Sequence, residues 1–307
     1  MFKFLKIGLI STAIVYLLSY TANWFWIGEV FVNFQLQFAI LFALFAIGFL
    51  LSKAKILTFS ALLFIIPPAL QVLLVLLPNK QVVLDGDINQ LKVQMVNVWS
   101  ANTDYEKAQN YIRSENADIL VIIELTPSWA QAINSLKGNY TQWREDVRTD
   151  NFGLGIYSKI PLSNVQTHIW SETGQPSFTA EINQNGQTIT VIATHPPPPK
   201  HPAGFKRRNE HFENMTQYIQ GLEGPIMLIG DLNCSPYSPF LKDLLTKTKL
   251  KDSRQGFGIN ATWPALFMPV SFPIDHALLS EGFNVLNRTS GPKIGSDHLP
   301  ITFSVEY

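Results

Sequence analysis

Cysteine is nearly missing: Cys234 stands alone in 307 residues. That excludes an intramolecular disulfide framework and a zinc cage built from thiolates, whatever the compartment. Charge is sparse too, since Asp, Glu, Lys and Arg make up 15% of the chain and cancel to a formal net charge of zero. Internal repeats, low-complexity tracts and a glycine-rich phosphate loop are all absent, which removes solenoids, disordered tails and P-loop chemistry from consideration.

Charge is scarcest in the first eighty residues. Lys3 and Lys6 precede an apolar run from about Ile7 to Ile27, a second run covers about Val30 to Leu51, and a third covers about Ile56 to Leu77. Each is near the roughly 20 residues that a spanning helix needs, so residues 1–80 are expected to form a membrane anchor of three transmembrane helices. A cleaved signal peptide is the competing account of the first run, but that run is long, has no convincing cleavage site, and is followed by two more. Pro67 and Pro68 are expected to kink the third helix without ending it.

Cations sit at Lys3, Lys6, Lys53 and Lys55, whereas Thr21 to Glu29 carries none. The positive-inside rule then puts the N-terminus in the cytoplasm and everything after Pro78 outside, in a multi-pass protein of the inner cell membrane. Trp24, Phe25 and Trp26 suit the outer interface. Of the 23 basic and 23 acidic residues, five and one fall in residues 1–80, leaving 18 and 22 and a net charge of −4 for the remainder. Such a surface is ill suited to tight nonspecific binding of DNA.

Residues 81–90 read as a polar tether and 91–307 as one domain. Buried-strand patterns fit Leu91 to Val98, Ile119 to Ile123, Gly153 to Tyr157, Phe178 to Ile182, Thr188 to Ala193, Ile226 to Ile229, Pro273 to Leu279 and Ile301 to Val305. Helical patterns fit Tyr105 to Glu115, Phe205 to Gln220 and Pro239 to Lys247. Strands and helices do not alternate strictly, which points to α+β over a doubly wound sheet.

Several apolar runs close on a polar residue: Glu124, His195 and Asp231 follow their runs, and Asn97 shares a strand face with Val93 and Met95. A carboxylate at the end of a buried strand is costly unless it reaches water, a partner or a metal. One such ending means little, but four suggest a polar rim. Asp231 and Asn233 lie at i and i+2 after Gly230, which suits either a functional pair or an Asx turn. Near the C-terminus, Asp297 and His298 stand between Gly-Ser and Leu-Pro, where a turn entering a last strand would also explain them.

Six segments resolve these ambiguities together: VNVWSAN (96–102), ADILVIIE (117–124), ATHPPP (193–198), IGDLNCSP (229–236), IDHALL (274–279) and GSDHLP (295–300). In order and spacing they resemble the motif series of the endonuclease/exonuclease/phosphatase superfamily, in particular its bacterial membrane-anchored members. The resemblance implies a four-layer α/β/β/α sandwich, DNase I-like, behind the three helices. It implies a metal site of Glu124, Asn97 and Asp297 for Mg²⁺ or Mn²⁺. It assigns Asp231 to the attacking water and Asn233 to positioning that water or the phosphate. His298 would face phosphate with Asp275 behind it, and His195 would be a second cationic donor.

Arg207 and Arg208 are candidates to contact substrate phosphate, with solvated helix charges the alternative. His276 is expected to point away from Asp275 and to pack, Asn102 to assist near the metal or to cap the helix after Asp104, and His168, His201 and His211 to lie on the surface. A prolyl run, Pro196 to Pro199, follows His195 where DNA-repair relatives carry a tyrosine-centred phosphate motif. The implied activity is hydrolysis of a phosphodiester or phosphomonoester in nucleic acid, a phospholipid headgroup or a small phosphoester, with no obligate protein partner. The alternative is a noncatalytic phosphate-binding or interaction module on the same fold.

Overall fold

Apolar composition determines the first quarter of the chain, and strand periodicity the rest. The computed structural model describes residues 2–84 and 88–307, so the middle of the tether expected over 81–90, residues 85–87, lies outside the described residues. Helices α1 (Phe2–Ser19) and α4 (Lys55–Leu76) are each long and apolar enough to cross a membrane. The second run is not one straight helix. It forms α2 (Trp26–Val32) and α3 (Gln35–Leu51), bent by 68° across Asn33 and Phe34, and counts as a third span if the pair is taken together. Pro67 and Pro68 lie within a continuous α4.

The remaining chain forms two six-stranded sheets. In the first, β11 (Asn284–Ser290), β12 (Ile301–Glu306), β1 (Gln90–Asn97), β2 (Ile119–Ile123), β4 (Leu154–Ser158) and β3 (Gln142–Asp146) lie in that order. The second runs β5 (Leu162–Ile169), β6 (Pro176–Gln184), β7 (Gln187–Thr194), β8 (Ile226–Asp231), β10 (Asp275–Leu279) and β9 (Lys251–Asp252). The side-chain period of two sends Val93, Met95, Val121, Val191, Met227, Ile229 and Ala277 into the layer between the sheets. Val96, Leu120 and Ile122 instead face α5 (Tyr105–Glu115) and α6 (Pro127–Ile133). Ile192, Leu228 and Leu278 face α7 (Pro202–Gln220) and α8 (Pro239–Thr248). The result is the expected α/β/β/α sandwich.

The helical bundle and the sandwich are locked together by polar contacts that apolar helices seldom offer. Glu29 is fully buried, and its Oε1 accepts from Arg208 at 2.7 Å and from Ser238 Oγ at 2.6 Å. Asn33 Oδ1 accepts from the Ser235 amide at 2.9 Å, while Tyr237 packs with Ala22, Val32 and Val72. Arg208 is therefore not a phosphate contact. Its guanidinium is fully buried among Phe205, Phe212 and Phe240, facing the bundle and not the strand-end rim.

Candidate functional site

Strand parity explains why the polar rim exists. Asn97 continues the inward set of Val93 and Met95, Asp231 that of Met227 and Ile229, and Asp275 that of Ala277 and Leu279. All three reach the gap between the sheets at one end. Asp231 and Asp275 are direct cross-strand partners on antiparallel β8 and β10. Gly230 is required there, because a Cβ would stand 2.0 Å from the Thr194 carbonyl oxygen.

Glu124 would fall on the helical side if β2 simply continued. Its backbone adopts φ +64°, an uncommon conformation for a residue with a Cβ, and this interrupts the alternation. Glu124 Oε2 accepts from the Ser100 amide at 2.8 Å, and Oε1 lies 3.5 Å from Asn97 Nδ2. The same Asn97 nitrogen donates to Asp231 Oδ2 at 3.2 Å, so one amide bridges carboxylates of both sheets.

The Asp297-His298 pair is held from two sides. Ser296 Oγ donates to the Asn97 carbonyl at 2.7 Å and accepts from the His298 amide at 3.0 Å, fixing the loop to the end of β1. His298 Nδ1 lies 2.9 Å from Asp275 Oδ2, and Nε2 lies 3.6 Å from Asp231 Oδ2. Asp297 Oδ2 accepts from Trp263 Nε1 at 3.0 Å, and its Oδ1 is buried without a hydrogen-bond partner among the described residues. Asn233 shows both of its anticipated features. Its amide donates to Asp231 Oδ1 at 2.9 Å in an Asx turn, and its side chain reaches the Pro196 carbonyl at 3.0 Å on the cleft wall.

Burial and neighbouring charge separate the two histidines of the rim. Burial alone would lower His298, but Asp275, Asp231 and Asp297 outweigh it and push the imidazole up to about 10. His195, 3.6 Å from Asp231, is pushed down to about 3 by burial and by the His298 charge. His195 is thus neutral, contrary to the cationic donor expected of it. Burial and the Asp275 charge push Asp231 upward from the ordinary carboxylate range. Asp231, Asp275 and His298 each place a ligand-type atom within 4.8 Å of the others.

Other expectations divide. His276 points to the outer layer, as strand parity requires, and contacts the Cys234 carbonyl at 2.8 Å. Asn102 caps rather than ligates: its Oδ1 accepts from the Asp104 amide at 2.9 Å. His201 is exposed and caps α7, and His168 is half-buried against Trp170. His211 is a correction. It is fully buried, with Nε2 2.8 Å from Thr194 Oγ1 on the hidden face of α7. Arg207 lies outside the rim, exposed and paired with Glu172 at 3.2 Å.

Around the rim lies a cleft of about 510 Å³ whose walls include residues that the motifs did not indicate: Trp99, Phe152, Lys200, Trp263 and Phe272, and from the bundle Val30, Asn33 and Phe34. The aromatic residues were visible only as loop residues beside the motifs. Nothing in the sequence signalled that the bend between α2 and α3 would reach the site.

With fold and rim defined, the class is clear: the chain belongs to the endonuclease/exonuclease/phosphatase family, whose model matches residues 96–298. Solved structures agree in fold. A truncated TDP2 from Caenorhabditis elegans is similar at 16% identity with a TM-score of 0.59, over 70% of this chain and 97% of that one. TDP2 from D. rerio, complexed with a single-strand DNA product, gives 15%, 0.59, 70% and 98%. A family protein from Leptotrichia buccalis gives 13%, 0.58, 71% and 100%. No curated protein matches the sequence. The family and its neighbours support a hydrolase acting on phosphoesters.

Proposed function

We propose that this protein is a membrane-anchored, divalent-metal-dependent hydrolase that cleaves a phosphodiester or phosphomonoester by direct attack of water. The observation that carries the reading is the convergence of Asp231, Asp275 and His298 with Asn97, Glu124 and Asp297 at one end of both sheets.

The donors fit a hard cation. Asn97, Glu124 and Asp297 offer amide and carboxylate oxygens, the ligand type of Mg²⁺ and Mn²⁺. The cleft is crowded with Glu124, Asp150, Asp231 and Asp297 against Lys200 and His298, and a phosphoester adds further negative charge. The Asp231–Asp275–His298 group is a poorer cage, because His298 Nδ1 is already committed to Asp275. When bound, a divalent cation supplies charge neutralisation and Lewis acidity at the phosphate.

The chain's own residues do the rest. Asp231, its carboxylate made more basic by burial, orients water and accepts its proton. Asn233 and neutral His195 donate hydrogen bonds to the water or the phosphate. His298, held charged and oriented by Asp275, faces the developing negative charge and protonates the leaving oxygen. One P–O bond forms and one breaks, and the proton gained by Asp231 balances the one lost by His298.

The anchor reading is supported by the position of its cations. Phe2 and Phe49 rings meet at 5.9 Å, which brings the start of α1 and the end of α3 to the same end of the bundle. Lys3, Lys6, Lys53 and Lys55 therefore share that end, away from the sandwich contacts of Glu29 and Asn33. The positive-inside rule then faces the hydrolase outward from the inner membrane. To test the reading, purified full-length protein is assayed on bis(p-nitrophenyl) phosphate and p-nitrophenyl phosphate with Mg²⁺. EDTA is expected to abolish turnover and His298→Ala to cut it by about 10²-fold or more. Metal-independent turnover, or none at all, would favour the noncatalytic module.

A further inference from the structure

The cleft wall opposite the catalytic rim belongs to the apolar bundle. Val30, Asn33 and Phe34, at the bend between α2 and α3, line the same cleft as Asp231 and His298. Phe34 meets Phe272 edge-on at 5.0 Å, and Phe272 meets Trp263 at 5.5 Å. Those three rings form an apolar side to a cleft whose floor is charged. The bend is held there by Glu29 on Arg208 and by Asn33 on Ser235, close after the strand that ends in Asp231.

The lip of the cleft is also fixed to the bundle. Gln37, in the first turn of α3, donates to the carbonyls of Ser271 at 3.1 Å and Pro269 at 3.4 Å. Immediately before that contact the loop exposes Leu266, Phe267 and Met268, at 66%, 59% and 44% of their surfaces. Trp24 and Phe25, between α1 and α2, are exposed at 69% and 61%. In water these five side chains would be an unexplained apolar surface. At the interface of a bilayer crossed by α1, α3 and α4 they are ordinary anchoring residues.

We propose that the ester hydrolysed is carried on a membrane lipid: its phosphate lies against Asp231 and His298, and its apolar part passes along Phe34, Phe272 and Trp263 into the bilayer beside the Leu266–Met268 lip. This rests on the hydrolase reading above and uses the same bond changes, the alcohol on one side of the phosphate being the lipid. A soluble ester of ordinary size needs no apolar wall contributed by the bundle. A nucleic acid strand would have to cross Leu266, Phe267 and Met268 with little basic surface to hold it.

The test uses the full chain reconstituted into vesicles of phosphatidylethanolamine, phosphatidylglycerol and cardiolipin, doped with phosphatidic acid and an isoprenyl monophosphate. Products released from lipid are measured beside hydrolysis of bis(p-nitrophenyl) phosphate by the same preparation. The expected result is Mg²⁺-dependent release from lipid, with the ratio of lipid to soluble turnover falling about tenfold or more in Leu266→Ser/Phe267→Ser, a change of about 1.4 kcal/mol or more in relative barrier. These side chains are exposed, so the variant is expected to fold, and the ratio corrects for any loss of protein. Soluble turnover without lipid turnover, or a ratio unmoved by the double substitution, overturns the lipid assignment and leaves the hydrolase standing. Turnover of neither substrate overturns the hydrolase reading, and the lipid assignment with it.

Discussion

Two buried clusters of charge sit on neighbouring strands, and they are built on opposite principles. At the outer end of β10, Asp252 is surrounded by Arg254 at 2.9 Å, His276 at 3.5 Å and the nearby Arg288. Burial alone would raise the Asp252 carboxyl, but these cations outweigh it and hold it well below the usual carboxylate range. Arg288 is lowered to about 10 by burial, and it spends a hydrogen bond on the Asp275 carbonyl at 3.1 Å. At the rim, by contrast, Asp231 is crowded by Asp275 and Glu124 and is pushed upward. The first cluster has its charge paired within the fold; the second leaves excess negative charge facing a cleft. Similar residues thus support structure in one place and reactivity in the other.

That contrast can be broken at several points. Asp252→Asn removes the carboxylate from two buried guanidinium groups and is expected to cost about 3–5 kcal/mol of stability, measured by thermal or denaturant unfolding in detergent, with little change in kcat of the folded fraction. Because the folded-state pKa of Asp252 is depressed, its contribution is present above about pH 4 and lost as pH falls further. The variant should therefore show a flatter acid limb of melting temperature against pH. Asp231→Asn should do the reverse. It is expected to lower kcat by about 10²–10³-fold while leaving the melting temperature unchanged or higher, since burial and Asp275 already disfavour its charge. A fall in melting temperature like that of the Asp252 variant would erase the distinction.

Asp275→Asn tests the element closest to both clusters. Loss of its charge should reduce activity by about 10–100-fold, and the pKa of His298 should fall from about 10. Because His298 acts in its charged form, the alkaline limb of kcat moves to lower pH, which a pH-rate profile would detect. The smallest effect is expected at Arg207, whose pair with Glu172 is exposed. Arg207→Ala should change stability by less than about 0.5 kcal/mol and leave soluble-ester kinetics nearly as they are.

The elements that sequence reading found are those buried on both faces. β2 and β4 have every residue buried, and their apolar runs have no competing explanation. β3, β5 and β11 escaped it because they lie at or beside sheet edges and carry QWRED, LSNVQTHI and NVLNRTS, largely solvent-facing stretches without a clear apolar period. The rim residues were legible for a related reason, since a polar residue closing an apolar strand is conspicuous. Arg208 and His211 were misjudged because both lie on α7, where a charged run looks like a wet face. Burial there depends on Glu29 and on β7, elements distant in the chain. No local pattern encodes such a contact.

Cutting the chain ahead of the first strand would therefore produce a different object from the catalytic half of the intact protein. Arg208 would keep its aromatic surroundings but lose Glu29, while the Ser235 amide, the Ser238 hydroxyl and the face of Phe272 would lose their counterparts. An unpaired buried guanidinium alone costs about 3–5 kcal/mol, a large share of what a domain of ordinary stability has to spare. Poor yield or weak turnover from such a fragment would measure the missing helices and say little about the strand-end carboxylates.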